Sequence, residues 1–105
     1  MLVFYTDTFV LPLPEGHKFP MEKYSRVRKA LLDKQIVSNT ELQIPRRATP
    51  KELIEAHCPE YVNRVLKGEL SPKETRRIGF PWSEAIVERS LRSVGATLEA
   101  SKIAL

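Results

Sequence analysis

Residues Ser83 to Leu105 spell one long amphipathic helix, and that helix asks for more partners than the preceding sequence offers. Ser83 can cap it, and Val87, Leu91, Val94, Leu98 and Leu105 recur at spacings near three and four, which gathers them on one face. Ser90, Gly95, Ala96, Ala100, Ser101 and Ala104 add small surface beside that stripe, where another backbone can come close. The final Ile103-Ala104-Leu105 carries no glycine, asparagine or proline stop. The expectation is an incomplete chain whose last helix packs on a parallel sheet continuing past residue 105.

Upstream the pattern predicts two short strands and four or five helices. Leu2-Val3-Phe4-Tyr5 is an apolar, β-branched and aromatic run, read as a buried strand opening a sheet. From Thr6 to Pro20, Pro12, Pro14, Gly16 and Pro20 exclude a helix and predict a long shaped loop. Met21 to Lys34 puts Tyr24, Val27 and Leu31 on one helical face. Asn39 marks a turn, and Glu41-Leu42-Gln43-Ile44 alternates like a half-buried strand that Pro45 ends. Thr49-Pro50-Lys51-Glu52 is a helix start, and the helix should run to about His57. Pro59 opens a further helix carrying Tyr61, Val62, Val65 and Leu66, with Gly68 as its stop, and Ser71-Pro72-Lys73-Glu74 repeats the cap chemistry.

Composition narrows the function classes. The net charge of +4 comes from 17 basic and 13 acidic residues. Apart from pairs such as Arg46-Arg47 and Arg76-Arg77, the basic residues are interleaved with Glu52, Glu55, Glu60, Glu69, Glu74, Glu84 and Glu88. This reads as solvated surface and disfavours nucleic acid, whose binding domains concentrate charge on one face. A single cysteine, Cys58, allows no internal disulfide and points to a cytoplasmic setting. No stretch reaches the roughly 18 apolar residues of a membrane span, and no targeting signal is found.

No catalytic constellation is complete. A catalytic metal needs about three converging donors and an open position, whereas the only imidazole or thiol groups are His17, His57 and Cys58. His57 and Cys58 adjoin at a helix end and point apart, which suits a packed or capping histidine beside a small buried thiol better than a nucleophile and its base. His17 sits in the breaker-rich loop among Gly16, Phe19, Pro20 and Met21, where it either lines a pocket mouth or simply packs on the surface. Tyr24 and Tyr61, at helical spacing among apolar neighbours, read as core.

Five segments taken in order carry a family resemblance. They are Gly16-His17-Lys18-Phe19-Pro20-Met21-Glu22-Lys23-Tyr24; Ala48-Thr49-Pro50-Lys51-Glu52-Leu53; Ile54-Glu55-Ala56-His57-Cys58-Pro59-Glu60-Tyr61-Val62; Ile78-Gly79-Phe80-Pro81-Trp82-Ser83; and Ser93-Val94-Gly95-Ala96-Thr97. Together they resemble the opening of a histone-deacetylase-like catalytic domain, most similar to class IV and bacterial members linked to acetoin-utilisation proteins. The resemblance implies an α/β, arginase/deacetylase-like fold with a mainly parallel sheet. It also implies a zinc-bound water that attacks the amide of acetyl-lysine or a related acylated amine, and metal ligands, tandem histidines and a tyrosine that all lie downstream of residue 105. Residues 1–105 then form the N-terminal segment of that domain, with no catalytic or metal-binding residue of their own. By the same resemblance His17, Phe19, Pro20 and Met21 belong to the rim of the acyl-lysine channel. Lys23 stands where many members place an arginine near an internal cavity beneath the metal; it keeps the charge and loses the planar fork.

The first expectation is therefore a deacetylase-like fragment, inactive and zinc-free alone, whose partner is the remainder of the catalytic domain, in the same chain or as a separate one. The rival is a small helical interaction module or split-enzyme subunit that completes a partner chain through its last helix.

Overall fold

The computed structural model describes residues 1–105 and arranges them as a small parallel sheet with five α-helices, an α/β organisation. In chain order the elements are β1 (Val3–Phe4), α1 (Lys23–Asp33), β2 (Leu42–Gln43), α2 (Pro50–Ile54), α3 (Pro59–Lys67), α4 (Pro72–Ile78) and α5 (Glu84–Ala104). A single 3-10 turn over Asn39–Glu41 leads into β2. The two strands pair in parallel with Val3 opposite Leu42 and Phe4 opposite Gln43, and the Tyr5 N–H extends the ladder by donating to Gln43 O at 3.0 Å.

Local chemistry explains where each helix begins. Thr49 accepts from the Glu52 N–H while the Glu52 carboxylate takes the Thr49 N–H, a reciprocal cap that starts α2 with Pro50 at its first position. Ser71 and Glu74 repeat the arrangement at α4, and Ser83 accepts from the Ile86 N–H to start α5. Stops are equally specific. Gly68 and Gly79 follow α3 and α4 in the left-handed region, at φ 72° and 85°.

The chain's core is a crossing of backbones. The segment Pro45–Ala48 runs over α5 so closely that the Ala48 N–H donates to Leu91 O at 2.9 Å, and a Cβ on Gly95 would lie 1.9 Å from Arg46 O. Pro45, Ala48 and Gly95 are buried there, and the expected small-residue surface of α5 is put to use at Gly95. Only seven of 105 residues are buried. The molecule measures 45 × 37 × 17 Å with a radius of gyration of 15.5 Å, whereas a compact chain of this length would have about 13 Å. It is a flat slab, too thin to close a second layer over its apolar faces.

That thinness corrects several expectations. β1 is half-buried rather than buried, because a two-stranded sheet leaves each strand with one neighbour. On α1, Tyr24 and Leu31 are half-buried as their face predicts, but Val27 is 59% exposed, and on α5 Val94 and Leu105 are exposed as well. α2 stops at Ile54 instead of His57: the Ala56 and His57 N–H groups both turn back to Leu53 O, and Pro59 holds Cys58 out of helical geometry. Cys58 is exposed, not a buried thiol, because it caps α3 at that turn.

Nor are the charges merely solvated. Asp7 pairs with Arg28, Arg46 with Glu52 and Glu99, Arg47 and Arg92 with Glu88, and Arg64 with Glu74. Arginine's fork joins elements that have too little apolar area between them to hold by packing alone. No helix is long and apolar enough to cross a membrane.

Candidate functional site

The loop between β1 and α1 is shaped by its own backbone before any side chain acts. Phe9 N–H turns back to Thr6 O at 3.0 Å, Leu13 N–H to Leu11 O at 2.9 Å, and His17 N–H to Pro14 O at 3.0 Å, the last turn being made possible by Gly16 at φ 80°. Three arginines then fasten the first half of the loop. Arg28 of α1 holds Asp7 through two bonds of 2.7 and 2.8 Å while its guanidinium covers the Tyr5 ring at 4.7 Å. The hydrogen bond that Arg28 donates to Asp7 is the main cause that raises the Arg28 pKa. Arg89 of α5 donates to both Thr6 O and Phe9 O at 3.1 Å and lies over Tyr24 at 4.3 Å. Arg92 covers Phe9 at 4.8 Å and donates to Pro45 O.

The second half of the loop meets the corner between α4 and α5. Phe19 N–H donates to His17 Nδ1 at 3.1 Å, so that nitrogen is an acceptor and the ring's hydrogen sits on Nε2. Nε2–H then donates to Gly79 O at 3.0 Å, across 62 residues of sequence. The imidazole stacks on Phe80 with centroids 5.4 Å apart and planes inclined by 18°, and Phe19 meets the same ring edge-on at 5.1 Å. Met21 N–H returns to Phe19 O at 2.9 Å, and Lys23 N–H to Pro20 O at 3.1 Å, which delivers the chain into α1.

The structure therefore brings His17, Phe19, Pro20, Met21 and Lys23 to one depression, a cavity of about 510 Å³ that Leu11 and Arg26 also border. Its size falls within the range of small-ligand sites. Lys23 is exposed, its Nζ held 4.9 Å from the Phe19 centroid and 5.0 Å from that of Tyr24. His57 lies elsewhere, on an apolar groove of about 280 Å³ between α3, α4 and α5 that Tyr61, Val65, Trp82 and Leu91 help to line. No three His, Cys, Asp or Glu side chains converge in a way that could hold a metal ion.

Sequence reasoning found the loop and missed what holds it. Gly79-Phe80 reads only as a helix break, since nothing in a sequence announces a backbone carbonyl as a distant acceptor. Asp7 offered a better signal: it is one of only two aspartates, placed just after an apolar strand, where burial calls for a cation partner.

Two comparisons bear on this geometry. Residues 17–105 match the family model of the histone deacetylase domain. An uncharacterized protein of Picosynechococcus sp. is 37% identical over 103 residues, which is 98% of this chain and 34% of that protein. The chain thus spans about a third of the length of this relative.

Proposed function

The chain belongs to the histone deacetylase family, and from that premise we propose that it supplies the N-terminal scaffold and part of the substrate-channel rim of a zinc-dependent amidohydrolase acting on acetyl-lysine or a related acylated amine. The single observation that carries this reading is the family match over residues 17–105, which begins at His17 and so takes in His17, Phe19, Pro20, Met21 and Lys23 at the depression. Two features of the structure support the scaffold role. The slab is thin, and the faces of β1, α1 and α5 remain partly uncovered, as expected of elements awaiting the rest of a parallel sheet.

In such a domain His17, Phe19, Pro20 and Met21 would face the entering acyl-lysine. Their aromatic and aliphatic surface suits the methylene stem of a lysine whose charge has been removed by acylation. Lys23 would stand by the internal cavity and meet an anionic product as a point charge. This chain's own donors do not fit a zinc ion, since no three of them converge. The metal ligands and proton-transfer groups would come from the remainder of the domain, in the same chain or as a separate subunit.

The test is zinc content together with turnover of a fluorogenic acetyl-lysine substrate, measured on residues 1–105 and on a protein of the relative's length that contains them. Zinc and turnover confined to the longer protein support the proposal. One equivalent of zinc or turnover in residues 1–105 sinks the scaffold reading, and a longer protein that takes up zinc without deacylating any acyl-lysine sinks the substrate reading.

A further inference from the structure

The contacts of His17 set it apart from the other rim residues. Phe19, Pro20 and Met21 border the depression as His17 does, but both ring nitrogens of His17 are consumed by backbone groups and one ring face is covered by Phe80. An imidazole so occupied has no free lone pair or hydrogen for a substrate. What its two bonds do is mechanical. One fixes the Phe19 backbone two residues further along the loop, and the other ties the loop to the carbonyl of the residue that ends α4.

The other end of the tie is equally well defined. Gly79 sits at φ 85° with open space where a Cβ would be, so its carbonyl direction is set by the left-handed stop of α4. Phe80 presents one ring to both His17 and Phe19, at centroid distances of 5.4 and 5.1 Å. The loop's own turns bond Leu13, His17 and Met21 locally, and the two His17 bonds add a tie from the Phe19 backbone to the corner outside the loop.

We propose that His17 is a positioning residue, a clasp in its Nε2–H tautomer that locks the Gly16–Met21 loop to the Gly79–Phe80 corner and thereby sets the placement of Phe19 at the depression. Its effect on substrate rests on the deacylase reading above; the clasp itself does not.

The experiment separates the two. Histidine labelled with nitrogen-15 in the 105-residue chain is read by long-range proton–nitrogen correlation, and amide exchange is followed at Phe19. The wild type should show His17 with a bare Nδ1 and a protonated Nε2, and a slowed Phe19 amide. His17→Phe keeps the ring stack and loses both bonds, so Phe19 exchange should quicken roughly three- to tenfold. His17→Gln, whose amide can both accept from Phe19 N–H and donate to Gly79 O, should recover most of that protection. A wild-type spectrum without this tautomer, or equal Phe19 exchange in wild type and His17→Phe, overturns the clasp. Should His17→Phe lose its fold, the wild-type tautomer and the His17→Gln exchange decide the matter. In the longer protein, His17→Phe should raise KM for the acetyl-lysine substrate more than it lowers kcat, with His17→Gln restoring KM. A longer wild-type protein with no deacylase activity would refute the substrate reading and leave the clasp to be judged by its spectrum.

Discussion

Adding one methyl group at Gly95 should be among the most damaging single changes in this chain. In a helix interior, glycine to alanine normally stabilises by about 1 kcal/mol, because alanine restricts the unfolded chain and favours the helix. Here the new Cβ would fall 1.9 Å from Arg46 O, 3.0 Å from Arg46 C and 3.2 Å from Ala48 N. The Arg46 oxygen belongs to the backbone, so no rotamer change relieves the clash, and the segment must lift from α5 by about 1 Å. Lifting it breaks the 2.9 Å bond from Ala48 N–H to Leu91 O, at a site where Ala48 is only 3% exposed. An overpacked contact costs about 1–3 kcal/mol, and a buried donor left without a partner about 1–3 kcal/mol. Less the helix gain of about 1 kcal/mol, the net loss is about 1–5 kcal/mol, with a mid-range of about 3 kcal/mol. Chemical and thermal denaturation followed by circular dichroism should show it as a fall in midpoint of roughly 10–20 °C, with the exposed Ser93→Ala on the same helix as a near-neutral control. A Gly95→Ala chain as stable as wild type would refute the crossing of Arg46–Ala48 over α5.

Three further perturbations test other joints. Asp7→Ala strands the Arg28 guanidinium over Tyr5; since Asp7 is buried and Arg28 is partly exposed, the loss should be about 2–3 kcal/mol by urea denaturation, and an Arg28→Ala, Asp7→Ala double variant as unstable as the sum of the singles would show that the two do not interact. Gly68→Ala puts a Cβ at φ 72° and 3.0 Å from the Trp82 ring, so it should cost about 1–2 kcal/mol and shift the emission of this lone tryptophan; unchanged emission and stability would be incompatible with that packing. Glu52 is held at a pKa of about 2, below its ordinary 4.5, chiefly by the hydrogen bonds from Arg46 and then by Thr49 N–H. The folded state therefore takes up this proton later than the unfolded state does, so the stabilisation is complete above about pH 4.5 and is lost as pH falls towards 2. Glu52→Gln should flatten the acid limb of the stability–pH curve in that window, and an acid limb of unchanged slope would count against the Arg46–Glu52 pair.

What the sequence reveals here is what its own neighbours determine. Thr49, Ser71 and Ser83 cap helices because the groups they satisfy lie three residues away, and Gly68 and Gly79 stop them through their own φ. Even so, one stop was invisible. α1 ends with Gln35 at φ 56°, where Gln35 N–H turns back to Leu32 O and Ile36 N–H to Leu31 O, the geometry usually marked by glycine. The loop was legible as a loop, and the family resemblance singled out the residues that border its depression, yet neither disclosed the partners. His17 to Gly79 O, Arg89 to Thr6 O and Phe9 O, and Ala48 N–H to Leu91 O all use main-chain groups, which every residue owns and no residue type signals.

The same division accounts for the exposed apolar residues. Val27, Val94 and Leu105 obey helical periodicity, and periodicity states only which face wants cover. Arginine takes over where cover is missing: Arg28, Arg89 and Arg92 lay their guanidinium groups on Tyr5, Tyr24 and Phe9 while anchoring to carboxylates or carbonyls. Arg28 thereby ties the first half of the β1–α1 loop to α1, and Arg89 and Arg92 tie it to α5, so the loop that borders the depression is held largely by directional contacts. Directional bonds fix geometry closely but give little stability apiece. A loop held this way stays in place only while its two supports, α1 and α5, are themselves kept in place, and in this slab the uncovered faces of those helices are where further packing would secure it.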